Sequence, residues 1–87
     1  MLAIQQITNT EAVVYSCPPG KSAYVFVDIF CASEDRTANV TIKVNDVVYY
    51  SDNIVSFMSC KLTLTTGDVI KISTNTTVNV FIHGMEV

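Results

Sequence analysis

The sequence contains no Trp, one His, three Gly and two Pro, and only 15% of its residues are charged. It holds three Leu against 31 Val, Ile and Thr among 87 residues. Branched side chains pack well on a pleated surface and lose rotamer freedom in a helix, so this ratio points away from helix and towards sheet. No apolar run approaches the roughly 18 residues that a membrane-spanning helix needs. Disorder is excluded by the 49% hydrophobic fraction, because a chain this apolar has enough surface to bury to offset its ordering entropy. His83 stands alone in its class. A catalytic His needs a nucleophile and an orienting carboxylate, and no motif supplies either, so His83 reads as an ordinary strand residue. The expectation is a chain without enzymatic activity and without a cofactor.

The net charge is −3, too mild for an acidic solvating tail. The five basic residues, Lys21, Arg36, Lys43, Lys61 and Lys71, are scattered along the chain. Nucleic-acid binding wants them clustered on one face, so no nucleic acid and no membrane are expected as partners. The segment 1–7 lacks the basic start and apolar core of an export signal. Cys17, Cys31 and Cys60 are odd in number and have no metal-ligand spacing. They read either as small buried hydrophobes in a reducing compartment or as one disulfide with a free thiol. Asp35, Asp46, Asp52 and Asp68 sit at turn-like positions, where a carboxylate satisfies local backbone donors, and they lack calcium-loop spacing.

Alternation and turn residues divide the chain into strand-like runs at 2–8, 12–17, 22–32, 37–44, 47–50, 57–65, 69–74 and 77–86. Pro18-Pro19-Gly20-Lys21 is the strongest turn signal, since Pro presets φ and Gly accepts the positive φ that follows. Asn45-Asp46 suits a two-residue hairpin, because both residues tolerate left-handed geometry. The polar stretch 51–56 reads as a looser connection. Eight short runs with no helical period predict an all-β chain. It is a single antiparallel β-sandwich domain over residues 1–87, of jelly-roll or Greek-key type.

The run 22–32 is unusual in being apolar on both sides. Ala23, Val25, Val27, Ile29 and Cys31 line one face; Tyr24, Phe26 and Phe30 share the other with Asp28. It reads as a central strand covered on both sides. A two-layer sandwich offers one inward face per strand, so the second face needs a cover of its own. A loop crossing it would serve, and so would another subunit, since aromatics are enriched at interface cores. Tyr24, Phe26, Phe30 and the nearby Tyr49 are therefore the candidate interface residues. The lack of Trp counts against a sugar-stacking platform. A domain this small buries only about 60–65% of its unfolded surface, and a modest core is often completed by a partner.

Several segments carry a family resemblance. Residues 15–23 (YSCPPGKSA), 38–45 (ANVTIKVN), 62–72 (LTLTTGDVIKI) and 78–86 (VNVFIHGME) resemble small β-sandwich virion structural proteins of tailed bacteriophages, across roughly residues 13–87. Those proteins often carry Asn-Gly at the mid-chain hairpin, where this chain has Asn45-Asp46. The resemblance implies a capsid decoration (cement) protein of the virion, assembled in the host cytoplasm. It further implies a homo-oligomer, commonly a trimer, bound to the major capsid protein. A tail, baseplate or fibre component that contacts the host through the loops 33–36 and 51–56 is the alternative. A secreted carbohydrate-binding accessory module would need a leader and a disulfide.

Overall fold

The computed structural model describes residues 1–87, folded as eight strands without a helix. They are β1 (Ala3–Thr8), β2 (Glu11–Ser16), β3 (Ala23–Cys31), β4 (Thr37–Val44), β5 (Val47–Val55), β6 (Phe57–Leu64), β7 (Val69–Thr74) and β8 (Thr77–Glu86). Two four-stranded sheets form, ordered β1-β8-β3-β6 and β2-β7-β4-β5, and every pair is antiparallel. The pairing is nested: first strand with eighth, second with seventh, third with sixth, fourth with fifth. The chain is in effect one long hairpin wrapped round itself, which is the jelly-roll arrangement. The expected all-β sandwich is therefore what the sequence builds.

Alternation fills the space between the sheets. Val25, Val27 and Ile29 of β3, Val40 and Ile42 of β4, Ile70 and Ile72 of β7, and Val78, Val80 and Ile82 of β8 are all buried. Branched side chains standing off two pleated surfaces interdigitate here, and each full burial contributes roughly 1.5–3 kcal/mol relative to exposure. In β1 the inward residue is Ile7, whereas Ile4 points to solvent. Tyr15 is also inside, and its hydroxyl donates to the Glu86 carboxylate. Burial, reinforced by that carboxylate, pushes the Tyr15 phenol far above its ordinary range.

The turn chemistry holds where it was expected. Lys21 N–H closes on the Pro18 carbonyl at 3.2 Å, with Gly20 at φ 74°. Asn45 and Asp46 both take left-handed φ, 53° and 66°. Asn45 is the more useful for having a side chain. Its amide donates to Asp68 Oδ1 at 2.8 Å, and its Oδ1 accepts from Val69 N–H at 2.9 Å, tying two turns together.

Two expectations are corrected. The stretch after Tyr50 is not loose: β5 runs on to Val55. Its polar residues face solvent on an edge strand and ladder with those of β4, Asn39 to Asn53 at 3.1 Å and Thr41 to Ser51 at 3.0 Å. Nor does a loop cover the second side of β3. That strand is central in its sheet, but no loop crosses its aromatic face, and those rings stand in solvent.

Candidate functional site

The outer face of the first sheet is built by register. Column by column, Tyr24 lies between Thr63 and Met85, Phe26 between Lys61 and His83, Asp28 between Ser59 and Phe81, and Phe30 between Phe57 and Asn79. Tyr24, Phe26, Phe30 and Phe57 remain 52%, 51%, 42% and 59% exposed. Phe30 stacks on Phe57 with ring centroids 5.8 Å apart and meets Phe81 edge-on at 5.7 Å. Ile4 of β1 and Met85 of β8 extend this apolar surface. Beyond Phe30 it ends in a polar border, where Gln6 donates to Asn79 at 2.9 Å and Thr8 bonds Thr77 at 3.1 Å.

At about 100 Å² of exposed ring per aromatic residue, the four rings with Ile4 and Met85 present on the order of 500–600 Å². That is the upper end for the largest apolar patch on a monomer. It approaches the roughly 800 Å² that each partner contributes to a standard interface.

One charged cluster interrupts the patch. Asp28 accepts hydrogen bonds from Ser59 Oγ and from His83 Nε2, and its side chain is 24% exposed against 42% for the imidazole. The Ser59 hydroxyl, followed by His83, holds the Asp28 carboxyl below the ordinary carboxylate range. The residue types match a hydrolytic triad, but the wiring does not. In a triad the imidazole lies between hydroxyl and carboxylate and takes the hydroxyl proton. Here the carboxylate lies between the other two, so the hydroxyl proton points to Asp28. What this arrangement provides chemically is a fixed, hydrogen-bonded charge in an apolar field.

The second sheet presents the opposite surface. Its outer face carries the ion pair Lys43–Glu11 at 3.2 Å, with Lys71–Asp46 at 2.6 Å and the Asn and Ser/Thr ladders already described. Exposed Val13, Val48 and Val55 stand among these polar groups, but no ring does.

Tyr49 is not on the aromatic face. It occupies the bulge between the Ile42–Tyr50 and Lys43–Val48 pairs, and its hydroxyl reaches the Lys61 carbonyl of edge strand β6 at 3.5 Å. Val47 and Val48 beside it are also exposed, but on opposite faces of the strand: Val48 lies opposite Lys43 and Val47 opposite Val44. The structure thus brings Tyr24, Phe26 and Phe30 together and places Tyr49 round the corner.

A cleft of about 420 Å³ lies at one end, lined by Asp35, Asn39, Asn53, Asn75 and Thr76 among others. Its polar groups are largely committed to one another: Asn75 Oδ1 accepts from Asn39 N–H at 2.9 Å, and Asp35 Oδ1 from Thr37 N–H at 3.2 Å. The Thr76 hydroxyl alone is buried without a partner. Arg36 and Ser56, next to the cleft, hold positive φ of 58° and 66° and are joined by a Ser56 N–H to Arg36 carbonyl bond of 2.7 Å. The cysteines are unpaired: Cys17 is buried, Cys31 and Cys60 half-buried.

No family model and no curated protein matches this sequence. The site rests on its own geometry. Sequence reasoning missed the Asp28–His83–Ser59 cluster, along with Phe57 and Phe81 as members of the face. The signal for the cluster was faint but present: Asp28 and His83 both fall on the outward side of their strands.

Proposed function

We propose that this is a non-enzymatic structural protein that assembles through the outer face of its first sheet. The observation that carries this reading is the contrast between the two outer faces, one with a cluster of exposed rings, the other with ion pairs and polar ladders among which the valines Val13, Val48 and Val55 stand. The edge strand β5 exposes Val47, Val48 and Tyr49 as a second, dissimilar set of apolar side chains. Contact between two unlike patches repeats head to tail and closes into a ring when the rotation permits. A trimer is the copy number that the phage resemblance implies.

Within that reading the particular role we propose is a capsid decoration protein of a bacteriophage virion. Copies meet through the aromatic face and sit on the major capsid protein after assembly in the host cytoplasm. The jelly-roll order supports this, since viral capsid domains use it, though lectin domains use it too. The mechanism is mechanical: apolar area buried across joints, at about 25 cal/mol per Å² before association costs, opposes the outward pressure of packed DNA. The test is sizing of the purified chain and co-sedimentation with assembled capsids. A stable oligomer that binds capsids supports the role; a monomer that ignores them overturns it.

A second reading, a tail, baseplate or fibre component contacting the host surface, draws on the cleft. The loop 33–36 and the end of β5 do converge there, and Asp35, Asn39, Asn53 and Asn75 line it with oxygens and amides. Glycan-array binding abolished by Asn53→Ala favours this reading over the first.

A further inference from the structure

We infer that the end cleft binds a neutral polyhydroxylated ligand, a terminal sugar with neighbouring free hydroxyls, through hydrogen bonds rather than ring stacking. The inference rests on the second reading above, contact with the host surface, and names the class of ligand that the same cleft takes.

The cleft forms where the start of β4, the end of β5 and the β7–β8 turn come together, with Asp35 from the loop before β4. Register sets Asn39 of β4 opposite Asn53 of β5. Each polar side chain is tied at one end only. Asn75 Oδ1 accepts from Asn39 N–H at 2.9 Å, and Asn53 Oδ1 accepts from Asn39 Nδ2 at 3.1 Å. Asp35 Oδ1 accepts from Ser33 Oγ at 3.0 Å and from Thr37 N–H at 3.2 Å. Those bonds orient the side chains and leave the Nδ2 donors of Asn53 and Asn75 and the Oδ1 acceptor of Asn39 without partners in the chain. A second observation points the same way. The Thr76 hydroxyl lines the cleft, is buried and has no partner at all, a state that costs stability.

A hydroxyl both donates and accepts, so donors and acceptors side by side, such as Asn53 Nδ2 and Asn39 Oδ1, suit a ligand made of hydroxyls. Thr76 Oγ1, turned towards the cleft by rotation about χ1, finds in a bound hydroxyl the partner that the protein does not supply. Anions ask for something else: phosphate and carboxylate are held by donors and cations. No cationic side chain lines the cleft, Arg36 included. Asp35 brings a negative charge instead, kept ionised below the ordinary carboxylate range first by the Thr37 N–H and then by Ser33. The ligand is therefore neutral. No aromatic ring lines the cleft either, and exposed Val55 offers the apolar contact for the C–H face of a sugar. The volume of about 420 Å³ lies towards the lower end for small-molecule sites, a size that suits a chain terminus.

The experiment titrates the isotope-labelled chain with the methyl glycosides of glucose, galactose and mannose, and separately with N-acetylneuraminic acid and inorganic phosphate. Heteronuclear NMR reads the side-chain amides of Asn39, Asn53 and Asn75. A saturable shift of those amides with a neutral glycoside at millimolar concentration is expected, and none with either anion. Asn53→Asp and Asn75→Asp keep the tied oxygen and exchange the free donor for an acceptor. Each should weaken binding by about two- to tenfold, with circular dichroism to verify folding. Thr76→Val removes the orphan hydroxyl at nearly constant shape, so its melting temperature should hold or rise while binding weakens by a similar factor. Binding that prefers an anion, or that none of these variants weakens, overturns the inference and leaves host contact standing. Amides that shift with no glycoside also overturn it. A glycan array blank for every class, acidic glycans included, overturns the host-contact reading as well.

Discussion

Phe26 and Val27 are consecutive residues of one strand with opposite fates, and truncating each to Ala separates interface from core. Phe26 is 51% exposed and Val27 fully buried. The exposed half of the Phe26 ring is about 100 Å². Covering it in an assembly is worth about 2.5 kcal/mol at 25 cal/mol per Å², or nearly a hundredfold in the association constant. Phe26→Ala should therefore weaken association by one to two orders of magnitude. The isolated chain should lose no more than about 1 kcal/mol, in keeping with a partly exposed site. Val27→Ala should do the reverse. Removing two buried carbon groups costs about 1.6 kcal/mol in transfer alone. The cavity between the sheets adds more, for a total of about 2–3 kcal/mol, with association of the folded fraction unchanged. Sedimentation velocity over a concentration series reads the first quantity, and urea denaturation of dilute monomer reads the second. If Phe26→Ala unfolds the chain, or leaves association untouched, the division between faces is wrong.

Four further outcomes are expected. Gly84 of β8 has φ 144°, and a Cβ there would be driven into the Tyr24 carbonyl of β3; Gly84→Ala should cost about 2–4 kcal/mol by thermal unfolding, from overpacking and backbone strain together. Asn45→Gly relaxes a left-handed residue but removes the bonds to Asp68 and Val69; a net loss of about 1–2 kcal/mol in urea would show that the side chain outweighs the turn preference. Asp28, Asp35, Asp46 and Asp68 are all held below the ordinary carboxylate range, respectively by Ser59 and then His83, by the Thr37 N–H, by Lys71 and by the Thr65 N–H. Their contribution is therefore complete above about pH 4 and disappears as pH falls through the depressed values; a melting temperature that declines only in that acid range, at fixed oligomeric state, checks the sign. Burial raises the Cys17, Cys31 and Cys60 thiols above their ordinary value, so iodoacetamide near neutral pH should label the native chain slowly and the urea-unfolded chain fast.

The strands were legible because alternation is a local property: Ala38, Val40 and Ile42 announce an inward face with no knowledge of what lies opposite. So were the turns at Pro18–Lys21 and Asn45-Asp46, where individual residues match particular φ values. The end of β5 was not legible. Ser51, Asp52 and Asn53 have loop composition, and they are strand only because Thr41, Val40 and Asn39 lie alongside. The site divides in the same way. Tyr24, Phe26 and Phe30 are two and four residues apart on one strand and declare their shared face. Asp28 and His83 are 55 positions apart, and only the β3–β8 register makes them neighbours. Tyr49 was grouped with the aromatic face because periodicity carries no information about which sheet a strand joins.

The nested pairing also has a consequence in time. The hairpin β4–β5 can form as soon as its two strands exist, but β3 receives its partner β8 only after the rest of the chain has been made. Contacts between residues so distant in sequence are the slow ones to form. Phe81, Met85 and His83 all reside on β8, and the sheet that displays Phe26 and Phe30 lacks half its breadth until β8 docks between β1 and β3. A nascent or partly folded chain therefore has no sticky surface of the finished shape. On the reading proposed above, the complete face, with Phe81 and Met85 beside the rings of β3 and β6, arrives last, as a by-product of completing the fold.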